Sequence, residues 1–115
     1  MKVIVGKTKT TQLIINSSLT GNYIVCHSLE ECNRVANEAK RLGFKRVPYP
    51  ISYDEFLSKQ YHGKGIKGFL IDNIELFLQG LTDVPINSIS TRCRIMEANE
   101  SDFKTIYQND WYRKG

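Results

Sequence analysis

Apolar positions along the chain fall into two patterns. Short unbroken runs occur at Val3-Ile4-Val5, Tyr23-Ile24-Val25-Cys26 and Phe69-Leu70-Ile71, and Gly6, Gly21-Asn22 or Asp72 bounds each of them. Runs of this length between turn residues predict strands buried on both faces. Between them, apolar residues recur at three- and four-residue steps. The clearest case is Leu29, Cys32, Val35, Ala36, Ala39 and Leu42, which predicts a helix over 29–42 with one apolar face. Ser28 and Glu31 make a capping box before it, Lys40 and Arg41 suit the negative end of its dipole, and Gly43 is placed to take the left-handed conformation after it.

Weaker signals complete the pattern. Leu13, Ile14 and Ile15 predict a short helix over 8–18, and Ser52 with Glu55 forms a second capping box opening a helix to about residue 60. Residues 74–79 read as a helix stopped by Gly80. Residues 44–47 read as a brief strand broken by Pro48-Tyr49-Pro50. Alternation of Ile89, Thr91, Cys93 and Ile95 with Ser90, Arg92, Arg94 and Met96 predicts a strand over 86–96, and Asn99 can cap a last helix carrying Phe103, Ile106 and Tyr107. All-apolar strands alternating with amphipathic helices predict an α/β domain: a three-layer sandwich with a mostly parallel sheet. In such sheets ligands bind beyond the carboxyl ends of the strands. The residues after Val5, Cys26, Ile71 and Ile95 are therefore the ones to inspect.

Composition narrows this picture. The 115 residues suit one domain, 1–115, and 41% hydrophobic with 24% charged residues is ordinary globular usage. No apolar run approaches the ~20 residues that span a bilayer, so no membrane partner is expected. The run after Met1 is too short for a signal peptide. The formal charge is +4, and its distribution is uneven: residues 1–50 carry eight basic and three acidic side chains. A basic first half suits a polyanion such as nucleic acid or a nucleotide phosphate, although a solvated surface has the same composition. Cys26, Cys32 and Cys93 form no CxxC pair, which points to a reducing, cytoplasmic setting. With His27 they do not match a zinc pattern, and no zinc is expected. His27 and His62 stand in no arrangement that suggests a triad.

Two segments carry candidate chemistry. Gly6-Lys7-Thr8-Lys9-Thr10-Thr11 follows the first strand and opens a helix, the context in which backbone amides wrap phosphate, a Lys reaches its charge and a Thr holds Mg²⁺. Two registers are open. Gly6-Lys7-Thr8 matches the end of GxxxxGK[ST] but pushes the first Gly back onto Met1. Lys9-Thr10-Thr11 keeps Val3–Val5 as the strand and is preferred, at the cost of a shortened cradle with Thr8 in place of the second Gly. The other reading is a plain strand-to-helix turn with a Thr cap. The second segment, Phe69-Leu70-Ile71-Asp72-Asn73, is an apolar strand ending in Asp, as a nucleotidase uses to hold the hydration shell of Mg²⁺. Helix capping by Asp72 is the alternative. Asn73 stands where many ATPases carry Glu.

Gly63-Lys64-Gly65-Ile66-Lys67-Gly68 is a literal GxGxxG, but it follows a helix and enters a strand, the reverse of a dinucleotide motif. It reads as a basic connection in which Lys64 and Lys67 are nucleic-acid candidates, with Arg92 and Arg94 beside them. Tyr107, Trp111, Tyr112, Arg113 and Lys114 form an aromatic-basic tail.

Taken in order, Val3-Ile4-Val5-Gly6 with Lys9-Thr10-Thr11, Tyr23-Ile24-Val25-Cys26, Ile51-Ser52-Tyr53-Asp54-Glu55-Phe56-Leu57 and Phe69-Leu70-Ile71-Asp72-Asn73 resemble the N-terminal half of a P-loop NTPase core of the superfamily 1 helicase type. The chain is also similar to small P-loop-like proteins of phages and prophages of Gram-positive bacteria. The resemblance covers about residues 2–91. It implies a reduced P-loop fold in the cytoplasm of a bacterial host, Lys9 as the phosphate lysine, Thr10 and Asp72 as Mg²⁺ partners, and ATP with Mg²⁺ as ligand. The shortened loop, the missing Glu after Asp72 and the lack of room for a second lobe imply binding with little or no hydrolysis. The alternative is a non-enzymatic accessory protein that binds nucleic acid or a host protein, for example as an inhibitor of a host factor.

Overall fold

The computed structural model describes residues 1–98. Strands β1 (Lys2–Val5), β2 (Tyr23–Cys26), β3 (Ile51–Ser52), β4 (Phe69–Ile71) and β5 (Arg94–Glu97) are joined by helices α1 (Lys9–Thr20), α2 (Leu29–Arg41), α3 (Tyr53–Leu57) and α4 (Ile74–Gln79). The chain is α/β. Every strand pairing among the described residues is parallel, because a helix or long connection returns the chain to its starting edge between strands. The ladders form two small sheets: β1 pairs with β5, and β2 lies between β3 and β4. No described helix is long and apolar enough to cross a membrane.

The core is organised by β2. Successive side chains on a strand point to opposite faces. Ile24 and Cys26 join Leu13, Ile14 and Ile15 of α1 and Cys32, Val35 and Ala39 of α2. Val25 and Tyr23 turn the other way and join Ile51, Tyr53, Phe56 and Phe77. The three-stranded sheet thus buries one face under α1 and α2 and the other under α3, α4 and their aromatic rings. Edge-to-face contacts of Phe56 with Phe69 and of Tyr53 with Phe77, each at 4.9 Å between centroids, fill the second face.

Local chemistry sets the element ends. Gly21, at φ +77°, ends α1 in the left-handed region, and its N–H donates to the Ser17 carbonyl at 2.8 Å. At α2 the Ser28 hydroxyl accepts from the Glu31 N–H at 3.1 Å, but the Glu31 side chain pairs with Arg34, so the expected capping box is half made. At α3 the box is complete: Ser52 accepts from the Glu55 N–H and Glu55 accepts from the Ser52 N–H, both at 3.2 Å. Ser52→Ala is expected to lower stability by about 1 kcal/mol in a denaturant titration, with Ser52→Asp near wild type.

Three expectations are corrected. Residues 44–47 are not a strand: Phe44 enters the core, its N–H donates back to the Ala39 carbonyl at 2.9 Å, and the strand forms only after Pro50, at Ile51. Pro48 and Pro50 have no N–H to give a ladder. The strand expected over 86–96 shrinks to Arg94–Glu97, since Ile86 and Ile89 are exposed and find no neighbouring strand. Instead the Gln79 side chain holds the Val84 carbonyl and the Ile86 N–H, each at 2.9 Å. The helix opened by Ser52 ends at Leu57, short of residue 60, and hydrogen-bonded turns follow. The helix expected after Asn99 and the aromatic-basic tail lie outside the described residues.

Candidate phosphate and cation site

The site is built where β1 and β4 end. β1 stops at Val5, and Gly6 turns the chain at φ +116°, a conformation that L side chains rarely adopt. The turn is held from one side by Ala98, just past β5: the Ala98 N–H donates to the Val5 carbonyl at 2.7 Å, and the Thr8 N–H donates to the Ala98 carbonyl at 3.4 Å. Lys7 projects exposed from this turn. Thr8 occupies the N-cap of α1, and the first helical bond runs from the Gln12 N–H to its carbonyl at 3.0 Å. Its hydroxyl makes no cap bond and is buried without a partner, so Thr8 holds the N-cap position through its backbone alone. The opening amides of α1, at Lys9, Thr10 and Thr11, lie at the positive end of a twelve-residue helix.

Asp72 closes the site from β4. Its N–H continues the ladder to the Val25 carbonyl at 2.9 Å, which carries its carboxyl group to the sheet's carboxyl edge. The residue is 2% exposed. Oδ2 accepts from the Thr10 hydroxyl at 3.4 Å, and Oδ1 is buried without a partner. Asp72 is not the cap of α4; that position belongs to Asn73. Burial pushes the Asp72 carboxyl above its ordinary range, against the opposing pull of Lys9, of the Thr10 hydroxyl and of Arg34. One carboxylate oxygen without a partner, held beside a Thr hydroxyl and a Lys at a helix N-terminus, is a donor set suited to a hydrated divalent cation with a phosphate. Thr10 and Asp72 would hold such a cation, which would supply the positive charge that burial of Asp72 demands.

Sequence reasoning missed two residues. Tyr53 donates its hydroxyl to the carbonyls of Asp72 and, at 2.9 Å, of Asn73, fixing the backbone that aims the carboxyl group. A Tyr directly inside a capping box was its only signal. Ala98 braces the turn after β1 through its backbone, which leaves no signature in a side chain. Asn73 acquires a reason: it sits at φ +57°, ψ +66°, a left-handed conformation that Asn tolerates better than Glu. Glu75 is exposed on α4.

Cys26 neighbours Asp72 at the end of β2. Burial first, then Cys32 and Asp72, push its thiol well above the ordinary range, and burial raises Cys32 too, so both are packed thiols at neutral pH. Among the described residues no cluster of His, Cys, Asp and Glu is arranged to hold a metal by itself.

No family model, curated protein or solved structure matches the chain. The geometry therefore carries the functional reading. Gly6, Lys7, Thr8, Lys9, Thr10, Thr11 and Asp72 gather at one end of the strands. Lys64 and Lys67 lie on the connection entering β4, and Arg94 stands opposite Lys2 at the amino end of the β1–β5 ladder with Arg92 before it, all away from Asp72.

Proposed function

We propose that the protein is a reduced P-loop-like domain, a three-layer sandwich in kind, that binds a nucleotide or other phosphate with a divalent cation and hydrolyses it slowly or not at all. The observation that carries this reading is the meeting of Thr10 with the buried, half-satisfied Asp72 carboxyl group across 62 positions of sequence. A buried carboxylate oxygen without a partner is costly, and such cost persists where a ligand repays it. Apolar clusters on both faces of the three-stranded sheet support the sandwich.

The chain's own residues divide the work. The α1 amides and Lys9 meet phosphate oxygens, Thr10 and Asp72 hold the cation's hydration shell, and Tyr53 keeps Asp72 aimed. Magnesium, when bound, neutralises phosphate charge. Asn73 stands directly after Asp72, where a Glu would serve as general base, so that carboxylate is not there to activate water.

The test is a thermal-shift titration with ATP and Mg²⁺. Wild type is expected to gain stability with nucleotide concentration, Lys9→Ala to need about tenfold more nucleotide for the same shift, and Lys7→Ala to behave nearly as wild type. An unchanged response in Lys9→Ala refutes the register that makes Lys9 the phosphate ligand.

A further inference from the structure

The edge of the three-stranded sheet opposite Asp72 has a different character. Because β3, β2 and β4 run parallel, the segments entering them gather at one edge. The entry to β2 is the uncharged Gly21-Asn22 turn. On its β3 side, α2 ends in Lys40 and Arg41 and continues through exposed Lys45 and Arg46. On its β4 side the connection 58–68 carries exposed Lys64 and Lys67 and docks on the β2 entry, where the Tyr23 N–H donates to the Gly68 carbonyl at 3.1 Å. The carboxylate in these segments is Glu38, which Arg41 pairs. Cations on both flanks of a neutral turn, with Glu38 as the one carboxylate among them, make this edge of the sheet positive.

The same edge offers a ring. Exposed His62 lies on Tyr61 with centroids 5.4 Å apart, and Tyr61 is held from behind by Phe69 at 4.9 Å. The Lys64 N–H donates to the Tyr61 carbonyl at 3.2 Å, and Gly63 and Gly65, at φ +87° and +68°, fold the loop so that Lys64 stays beside these rings. A backed, exposed aromatic surface interleaved with lysines matches single-stranded nucleic acid, whose bases stack while its phosphates meet cations.

We propose that this amino edge binds single-stranded nucleic acid, with Lys45, Arg46, Lys64 and Lys67 on the phosphates and the His62–Tyr61 pair under a base. The surface is separate from the phosphate site at Asp72 and stands without it.

The test is fluorescence anisotropy of a labelled oligothymidylate against the full chain over a salt series. Wild-type affinity is expected to fall linearly in log salt. Lys45→Ala/Arg46→Ala and Lys64→Ala/Lys67→Ala should each weaken binding by about tenfold and flatten the slope by about 1.4, since each phosphate contact on a single strand contributes about 0.7. His62→Ala should weaken binding with the slope unchanged. Lys9→Ala should bind the oligonucleotide as wild type does, so the two sites fail or survive separately. All these side chains but Lys9 are exposed, and unchanged thermal melts verify folding. Double variants that bind like wild type overturn the proposal. So does a wild-type protein that ignores the oligonucleotide yet binds polyglutamate or anionic phospholipid vesicles.

Discussion

Gly6→Ala is expected to cost about 2–5 kcal/mol and to abolish the nucleotide response. Two effects add at this residue. Its φ of +116° lies where a Cβ strains the backbone, and that Cβ would also fall on the Ala98 carbonyl oxygen, well inside van der Waals contact. The carbonyl cannot yield cheaply, since Ala98 holds both ends of the turn through Val5 and Thr8. A denaturant titration measures the loss. Gly43→Ala is the comparison: its φ is also positive, at +89°, but no atom stands within 4 Å of the added methyl, so it should cost only about 1 kcal/mol. Equal losses in the two variants would show that the Ala98 brace contributes nothing.

Asp72→Asn is expected to stabilise the unliganded protein while removing cation-dependent binding. Burial raises the Asp72 carboxyl above its ordinary value despite Lys9 and Thr10. The folded state then binds this proton more tightly than the unfolded state does. Between the ordinary carboxylate value and the raised one, unfolded chains have lost the proton and folded ones keep it, so this group's contribution to stability falls as pH rises through that window. Above it the full penalty of a buried charge remains. Asn keeps the shape and drops the charge. A gain of about 1 kcal/mol at neutral pH is expected, shrinking as the pH falls through the window. Magnesium-nucleotide binding should weaken about 10- to 100-fold. A variant less stable than wild type at neutral pH would mean that Lys9 and Thr10 already compensate the carboxylate.

Much of the fold was legible because local signals agreed. The apolar runs of β1, β2 and β4, the cap at Ser28 and the stop at Gly80 each name an element from its own residues. β3 was misplaced because 44–47 looks like a strand on its own; its fate was decided by the Ala39 carbonyl and the core that receives Phe44. The 86–96 strand was overextended because alternation says nothing about whether a neighbour is present.

The site divides in the same way. The approach of Lys9 and Thr10 to Asp72 was legible because a strand end, a Thr and an Asp are visible as side chains, and parallel topology brings strand ends together. Tyr53 and Ala98 act through backbone contacts between distant segments, which no local pattern encodes. Asn73 was readable as a missing Glu, but the left-handed backbone that favours Asn there belongs to the folded chain.

The turn after β1 and Asp72 are proposed to form one site for phosphate and cation. Isothermal titration of the full chain with ATP in the presence of Mg²⁺ tests it most directly. Saturable binding at one site per chain is expected, strongly weakened when Mg²⁺ is withheld and weakened in both Lys9→Ala and Asp72→Asn. The absence of heat at millimolar nucleotide, or binding that neither substitution changes, would contradict it.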